Sequence, residues 1–209
     1  MRMFQIWKVA ALAAAACLAP FTATLAQVPP AAATAPQAFF VKPVAEKMLK
    51  ELPPGPLYWL VENFPTLAQA QAAAGPTSLA VENAGKAWLF TLGAKGGSTP
   101  GASRVAEVGP VPTITAPEYL LRINHSGGAP GAKTPVHTHP GSEAFYVLTG
   151  RLGQKMQHGE SHVEAGNTMN GHGADMPMEV FNSGTSDLNA LVMFVVDATR
   201  PFSSPAKFP

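Results

Sequence analysis

Gly131-Ala132-Lys133-Thr134-Pro135-Val136-His137-Thr138-His139-Pro140-Gly141-Ser142-Glu143-Ala144-Phe145-Tyr146-Val147-Leu148-Thr149-Gly150 is the stretch that decides how the rest of the chain is read. Side chains at i and i+2 of an extended strand point the same way, so His137 and His139 share a face while Val136 and Thr138 look away. Pro140-Gly141 bends the chain, and a second alternating run follows from Glu143 to Leu148. A hairpin of this kind carries Glu143 back towards the two histidines. Two imidazole nitrogens and one carboxylate oxygen on one side of a divalent cation is an arrangement used by non-haem iron and its relatives.

Outward from this stretch, strand-like runs recur about every ten residues from Ser78 onward, with Gly and Pro between them. They are Ser78 to Val81, Lys86 to Leu92, Arg104 to Val108, Tyr119 to Asn124, Val136 to His139, Glu143 to Leu148, Gly153 to Gln157, His162 to Ala165, Met178 to Asn182 and Leu188 to Val196. Such a density of short strands indicates a sandwich or a barrel. The last run is apolar on both faces, which predicts a strand in the middle of a sheet. Upstream, Val41 to Glu51 has helical character, with Val44, Met48 and Leu52 near one stripe, and the prolines of Leu52-Pro53-Pro54-Gly55-Pro56 end it. Leu57 to Val61 reads as a strand, with Tyr58 and Trp59 packed in a core, and Leu67 to Ala74 as a short helix stopped by Gly75-Pro76. Gly93 to Gly101 is a loop, and the proline-rich tail from Pro201 to Pro209 is expected to lie over the surface.

These residues resemble the cupin superfamily. Its first motif, G-x5-H-x-H-x3-E-x6-G, is met at every fixed position by Gly131, His137, His139, Glu143 and Gly150. Its second, about G-x5-P-x-G-x2-H-x3-N, is met in degraded form between Gly166 and Asn182. The end aligns as Pro177-Met178-Glu179-Val180-Phe181-Asn182, with one residue inserted before it and Met178 in the place of the fourth-ligand histidine. Asp175 and Gly173 stand where the family tends to have Gly and Pro. The resemblance covers roughly residues 80 to 198 and shows no second complete first motif. It implies an all-β fold, a double-stranded β-helix or jelly-roll barrel over 80–198, with a short mixed helix and strand extension over 41–79 packing on it. It also implies one divalent metal ion (Fe, Mn, Cu, Ni or Zn) at His137, His139, Glu143 and position 178, with Glu143 able to serve as a base.

Met178 leaves the chemistry open. A thioether is soft and favours copper, whereas a glutamate oxygen is hard and suits iron, manganese, zinc or nickel. One reading is a copper site of His137, His139 and Met178; another is a three-ligand site with Met178 as apolar packing, the commoner role of a buried methionine. A third brings His172 over from the Gly171-His172-Gly173 loop as the missing nitrogen. His125 follows Tyr119, Leu121 and Ile123 on one alternating face, which would turn it into the same barrel. His158 and His162 flank a turn and are expected in solvent. Arg122 and Arg151 would suit an acidic substrate, against the commoner reading of surface arginines with packed stems.

The first residues read as an export signal: Arg2 and Lys8 precede the apolar run Val9 to Leu18, and Thr24-Leu25-Ala26 supplies small residues for cleavage. The run is short for a membrane span, and Ala14-Ala15-Ala16-Cys17 lacks the aliphatic residue of a lipidation site. Cleavage after Ala26 removes 26 of 209 residues and leaves 183, including a flexible lead over 27–40 and a tail over 199–209. Cys17 is the only cysteine, so the mature chain has no disulfide to stabilise it. Two of the 14 basic residues also leave, giving 12 against 13 acidic and a net charge of −1. That balance, with no basic cluster, excludes nucleic acid as an expected partner. The expectation is a periplasmic or secreted barrel with a small-molecule partner, no membrane contact after cleavage, and a homodimer left open. Its function is read as metal-dependent oxidation of dioxygenase type, the alternative being a non-catalytic metal- or ligand-binding barrel of the cell envelope.

Overall fold

The computed structural model describes residues 38–209; the expected signal peptide and most of the expected lead lie outside them. Each of the ten runs from Ser78 onward contributes a strand, and the described residues are all-β apart from one short helix. In chain order the elements are β1 (Phe40–Leu49), β2 (Tyr58–Phe64), α1 (Leu67–Ala73), β3 (Ser78–Asn83), β4 (Lys86–Gly93), β5 (Ser103–Val108), β6 (Tyr119–Gly128) and β7 (His137–Thr138). There follow β8 (Gly141–Thr149), β9 (Arg151–Met156), β10 (Gly159–Glu164), β11 (Thr168–Asn170), β12 (Glu179–Asn182), β13 (Leu188–Asp197) and β14 (Ser204–Pro205). Helix α1 starts where expected because Thr66 caps it, its hydroxyl accepting from the Gln69 amide at 3.2 Å.

Three layers explain the hydrophobic pattern. A central antiparallel sheet runs β1-β6-β13-β8-β11, and an outer sheet runs β3-β4-β2-β5. The third is β10-β9-β12, continued through the bridges Lys133–Phe181 and His137–Met178 to the pair β7-β14. One face of the central sheet packs with the outer sheet: Leu121, Ile123, Ala144, Leu191, Met193 and Val195 meet Trp59, Val61, Trp88 and Phe90. The other face turns Val147, Val192 and Phe194 towards Leu152 and Val180 of the third sheet. Strand β13 is therefore apolar at odd and even positions because it lies inside two cores at once, as its sequence indicated. Burying each such side chain stabilises the fold by roughly 1.5–3 kcal/mol.

Some expectations are corrected. Residues Val41 to Glu51 form strand β1, not a helix, at the edge of the central sheet. Val44 and Met48 are four apart, a spacing that fits a strand's period of 2 as well as a helical turn. Pro43 is tolerated there because it sits at an edge, where the register shifts between Pro43 and Ala45. The tail does not merely cover the surface: Ser204 and Pro205 pair with Thr138 and His137. Strand β2 lies between β4 and β5, so pairing joins residues on both sides of position 80. Among the described residues no helix is long and apolar enough to cross a membrane.

Gly150 closes the turn between β8 and β9. Its φ is +76°, and a Cβ there would lie 2.8 Å from the Asp187 carbonyl oxygen, so both the turn and its contact with β13's entry require glycine.

Candidate metal and ligand site

Between the central and third sheets lies a cavity of about 450 Å³. Its central-sheet wall is legible from the strand register. One row across the strands is Glu46, Arg122, Phe194, Glu143; the next is Pro43, Asn124, Val192, Phe145; the third is Val41, Ser126, Ala190, Val147. Thr134, Pro135, Val136, His137 and His139 close it from the segment running into β7, and Phe202 closes it from the tail.

His137 and His139 both line this cavity, their rings 4.9 Å apart and nearly perpendicular. The His137 Nδ1 lies 2.9 Å from the Pro135 carbonyl oxygen, and the His139 Nδ1 lies 2.6 Å from that of Phe202. A carbonyl can only accept, so each Nδ1 carries the proton and each Nε2 keeps its lone pair. Burial pushes His139 down to about 4, opposed by the Phe202 carbonyl and aided by His137 and Arg122, so this imidazole is neutral at pH 7. It packs against the rings of Phe194 and Phe202, which also touch each other.

Glu143 lies on the same cavity, 3% exposed. Burial pushes its carboxyl up to about 8, against a hydrogen bond from Gln154 that pulls the other way. The Gln154 Nε2 donates to Glu143 Oε1 at 2.5 Å and reaches the Met178 sulfur at 3.4 Å. Gly171 lets the neighbouring loop close on Glu143: a Cβ there would lie 2.5 Å from Glu143 Cγ. Met178 exchanges both backbone hydrogen bonds with His137, at 2.9 Å each, which places it beside the first histidine as the motif alignment implies. Its side chain is 1% exposed and packs behind the cavity wall rather than lining it.

The donor set fits a metal in kind: two lone pairs are presented to one cavity, with a carboxyl on the same wall. Among the described residues, however, no three His, Cys, Asp or Glu side chains stand close enough together to grip one ion. The histidines are brought together; the Glu143 carboxyl accepts from Gln154. His172 does not line the cavity. Nor does His125, whose face of β6 turns to the outer sheet with Leu121 and Ile123; its Nε2 lies 3.0 Å from the Asn189 side chain. His158 and His162 are exposed as expected, and Arg151 pairs with Glu164 at 2.9 Å.

Three elements escape the sequence. Gln154 is fully buried, and its only trace is a polar residue at an inward position of β9. Asn124 and Ser126 join Arg122, which the sequence singles out, in a polar strip on the face of β6 opposite the one that alternation with Leu121 and Ile123 suggests. Phe202 supplies both a carbonyl and a ring to His139 from 63 residues away, which no local pattern encodes.

No family model matches the chain, and no curated protein does. Solved structures with partial likeness include a cupin-like protein from Thermotoga maritima, 13% identical over 42% of this chain and 65% of that one, with a TM-score of 0.38. A cupin superfamily protein from Desulfitobacterium hafniense is 13% identical over 37% and 68%, with a TM-score of 0.34. A DMSP lyase structure is 22% identical over 42% and 44%, with a TM-score of 0.36. This chain thus spans between 44% and 68% of the lengths of those proteins. The complete first motif, two antiparallel sheets facing each other across a cavity, and His137, His139 and Glu143 on its wall agree with the all-β barrel that the cupin resemblance implies.

Proposed function

We propose that the protein takes up one divalent metal ion at His137 and His139 and acts on a small organic molecule held in the adjoining cavity. The observation that carries this is the commitment of both Nδ1 atoms to carbonyl oxygens, which leaves two Nε2 lone pairs facing one space. A bound metal would supply a Lewis acid for an oxygen-bearing substrate, and oxidation of dioxygenase type is the reaction class that the cupin resemblance implies. The chain's own residues supply the rest. Apolar walls of Phe145, Val192 and Phe194 exclude water, and Glu143, held near a pKa of about 8, can give or take a proton near neutral pH. Glu143 would join the histidines as a third donor by turning away from Gln154. Export by the Met1–Ala26 segment would place this chemistry in the periplasm or outside the cell.

Elemental analysis of protein purified from its own compartment tests the reading. Wild type should hold about one ion per chain, His137→Ala and His139→Ala at least tenfold less, and Met178→Leu as much as wild type. Copper lost on changing Met178 would move the site to the thioether, and wild-type protein free of any metal would overturn the proposal. A non-catalytic ligand-binding barrel is the second reading, favoured by the bond between Gln154 and Glu143, which engages the carboxyl.

A further inference from the structure

A buried strip of polar side chains facing an otherwise apolar cavity needs a partner, because an unpaired polar group out of water costs roughly 1–3 kcal/mol. Arg122, Asn124 and Ser126 form such a strip on β6, and all three line the cavity. Asn124 is 1% exposed and Ser126 4%. The Asn124 Oδ1 and the Arg122 Nε are buried without a hydrogen-bond partner among the described residues. The arginine is already fixed in place. Its terminal nitrogen meets Glu46 at 2.5 Å, and its guanidinium lies over Phe202, 3.8 Å from the ring centre. A guanidinium held on one side by a carboxylate and against a ring, with donors left over from those two contacts, has capacity for one more acceptor.

We propose that Arg122 and Asn124 bind the carboxylate of a small monocarboxylic acid whose apolar body lies along Phe194, Val192 and Phe145 towards Glu143. Arg122 is the cation on this wall, and its partner Glu46 is half-exposed and does not line the cavity. The register gives the length of the ligand. Arg122 and Glu143 stand in one row with β13 between them, two strand spacings or about 10 Å apart, so the acid end and the end facing Glu143 are separated by that distance. The amide ends of Asn124 exchange by rotation, which lets its NH2 face a carboxylate oxygen.

This names the substrate class for the cavity of the proposed function and rests on that reading only for what happens after binding. Calorimetric titration of the full protein with 3-phenylpropanoate and with its neutral analogue 3-phenylpropan-1-ol tests it. The acid should bind at least tenfold more tightly than the alcohol. Arg122→Gln should erase that gap while leaving the alcohol unaffected, Asn124→Leu should weaken the acid about fivefold, and Glu46→Gln, which frees the guanidinium, should strengthen it about threefold. A thermal melt of each variant confirms folding, and the comparison of the two probes on wild type stands even if Arg122→Gln unfolds. Equal affinity for acid and alcohol, binding of neither, or a gap that survives Arg122→Gln and disappears in His137→Ala would overturn the proposal, the last by placing the anion at the histidines. Elemental analysis of the same samples separates the two readings. Metal-free wild type that still prefers the acid removes only the metal, and metal-loaded wild type without the preference removes only the carboxylate.

Discussion

The two faces of the central sheet are built from the same strands and differ in what they bury. Towards the outer sheet, Leu121, Ile123, Ala144, Met193 and Val195 close against Trp59, Trp88 and Phe90. Towards the cavity, the same β6 and β8 present Arg122, Asn124, Ser126 and Glu143, and the wall stays open. One face is optimised for density and the other keeps polar groups that stability alone would discard. The difference separates residues that hold the fold from residues that serve a ligand, and it does so one position apart along a single strand.

Breaking the closed face should have the largest effect. Leu191→Ala removes a fully buried side chain from the layer facing the outer sheet and should cost about 2–5 kcal/mol in denaturant unfolding. A loss below about 1 kcal/mol would mean that this interface is loosely packed. Glu143 comes next, through pH. Its folded pKa of about 8 lies above the ordinary value of 4.5, so the folded protein holds a proton that the unfolded chain releases, and stability falls as pH rises from about 4.5 to 8. In metal-free protein, Glu143→Gln should abolish that decline and exceed wild type by on the order of 3 kcal/mol at pH 8.5, with little difference at pH 5. Parallel pH profiles for the two would show that the carboxyl is solvated. On the open face the sign reverses: Asn124→Leu should raise stability by about 1 kcal/mol while weakening acid binding, because it removes an orphaned polar group. The smallest effect belongs to the exposed pair of Arg200 and Asp175, joined at 2.6 Å, where Arg200→Ala should leave the melting temperature unchanged within error.

How far the sequence foretold this depends on which physical signal each residue carries. The motif from Gly131 to Gly150 put His137, His139 and Glu143 on one cavity, but not through the hairpin it suggests: β7 pairs with β14 while β8 pairs with β13 and β11, so the two strands reach the cavity from different sheets. Alternation along β6 gave two faces without telling which one meets the cavity. In a three-layer arrangement the apolar set Leu121 and Ile123 belongs to the closed side, which is why His125 points away from the site and Arg122 into it. Strand β1 was hidden by a four-residue spacing common to helix and strand, and by a proline that an edge tolerates. The roles of Gln154 and Phe202 arise from contacts across distant strands, and single-sequence periodicity holds no information on those.

The tail over His139 has a kinetic consequence. Strand β14 contains two residues, and Ala206 adds one more backbone bond to Val136, so this flap is tied by far fewer hydrogen bonds than β13. Segments of that kind open locally at a fraction of the global unfolding free energy. Each opening lifts Phe202 from the cavity and takes from His139 the carbonyl that fixes its tautomer. The amide of Ala206 should therefore exchange with solvent deuterium sooner than those of β13, and should slow when the cavity is filled.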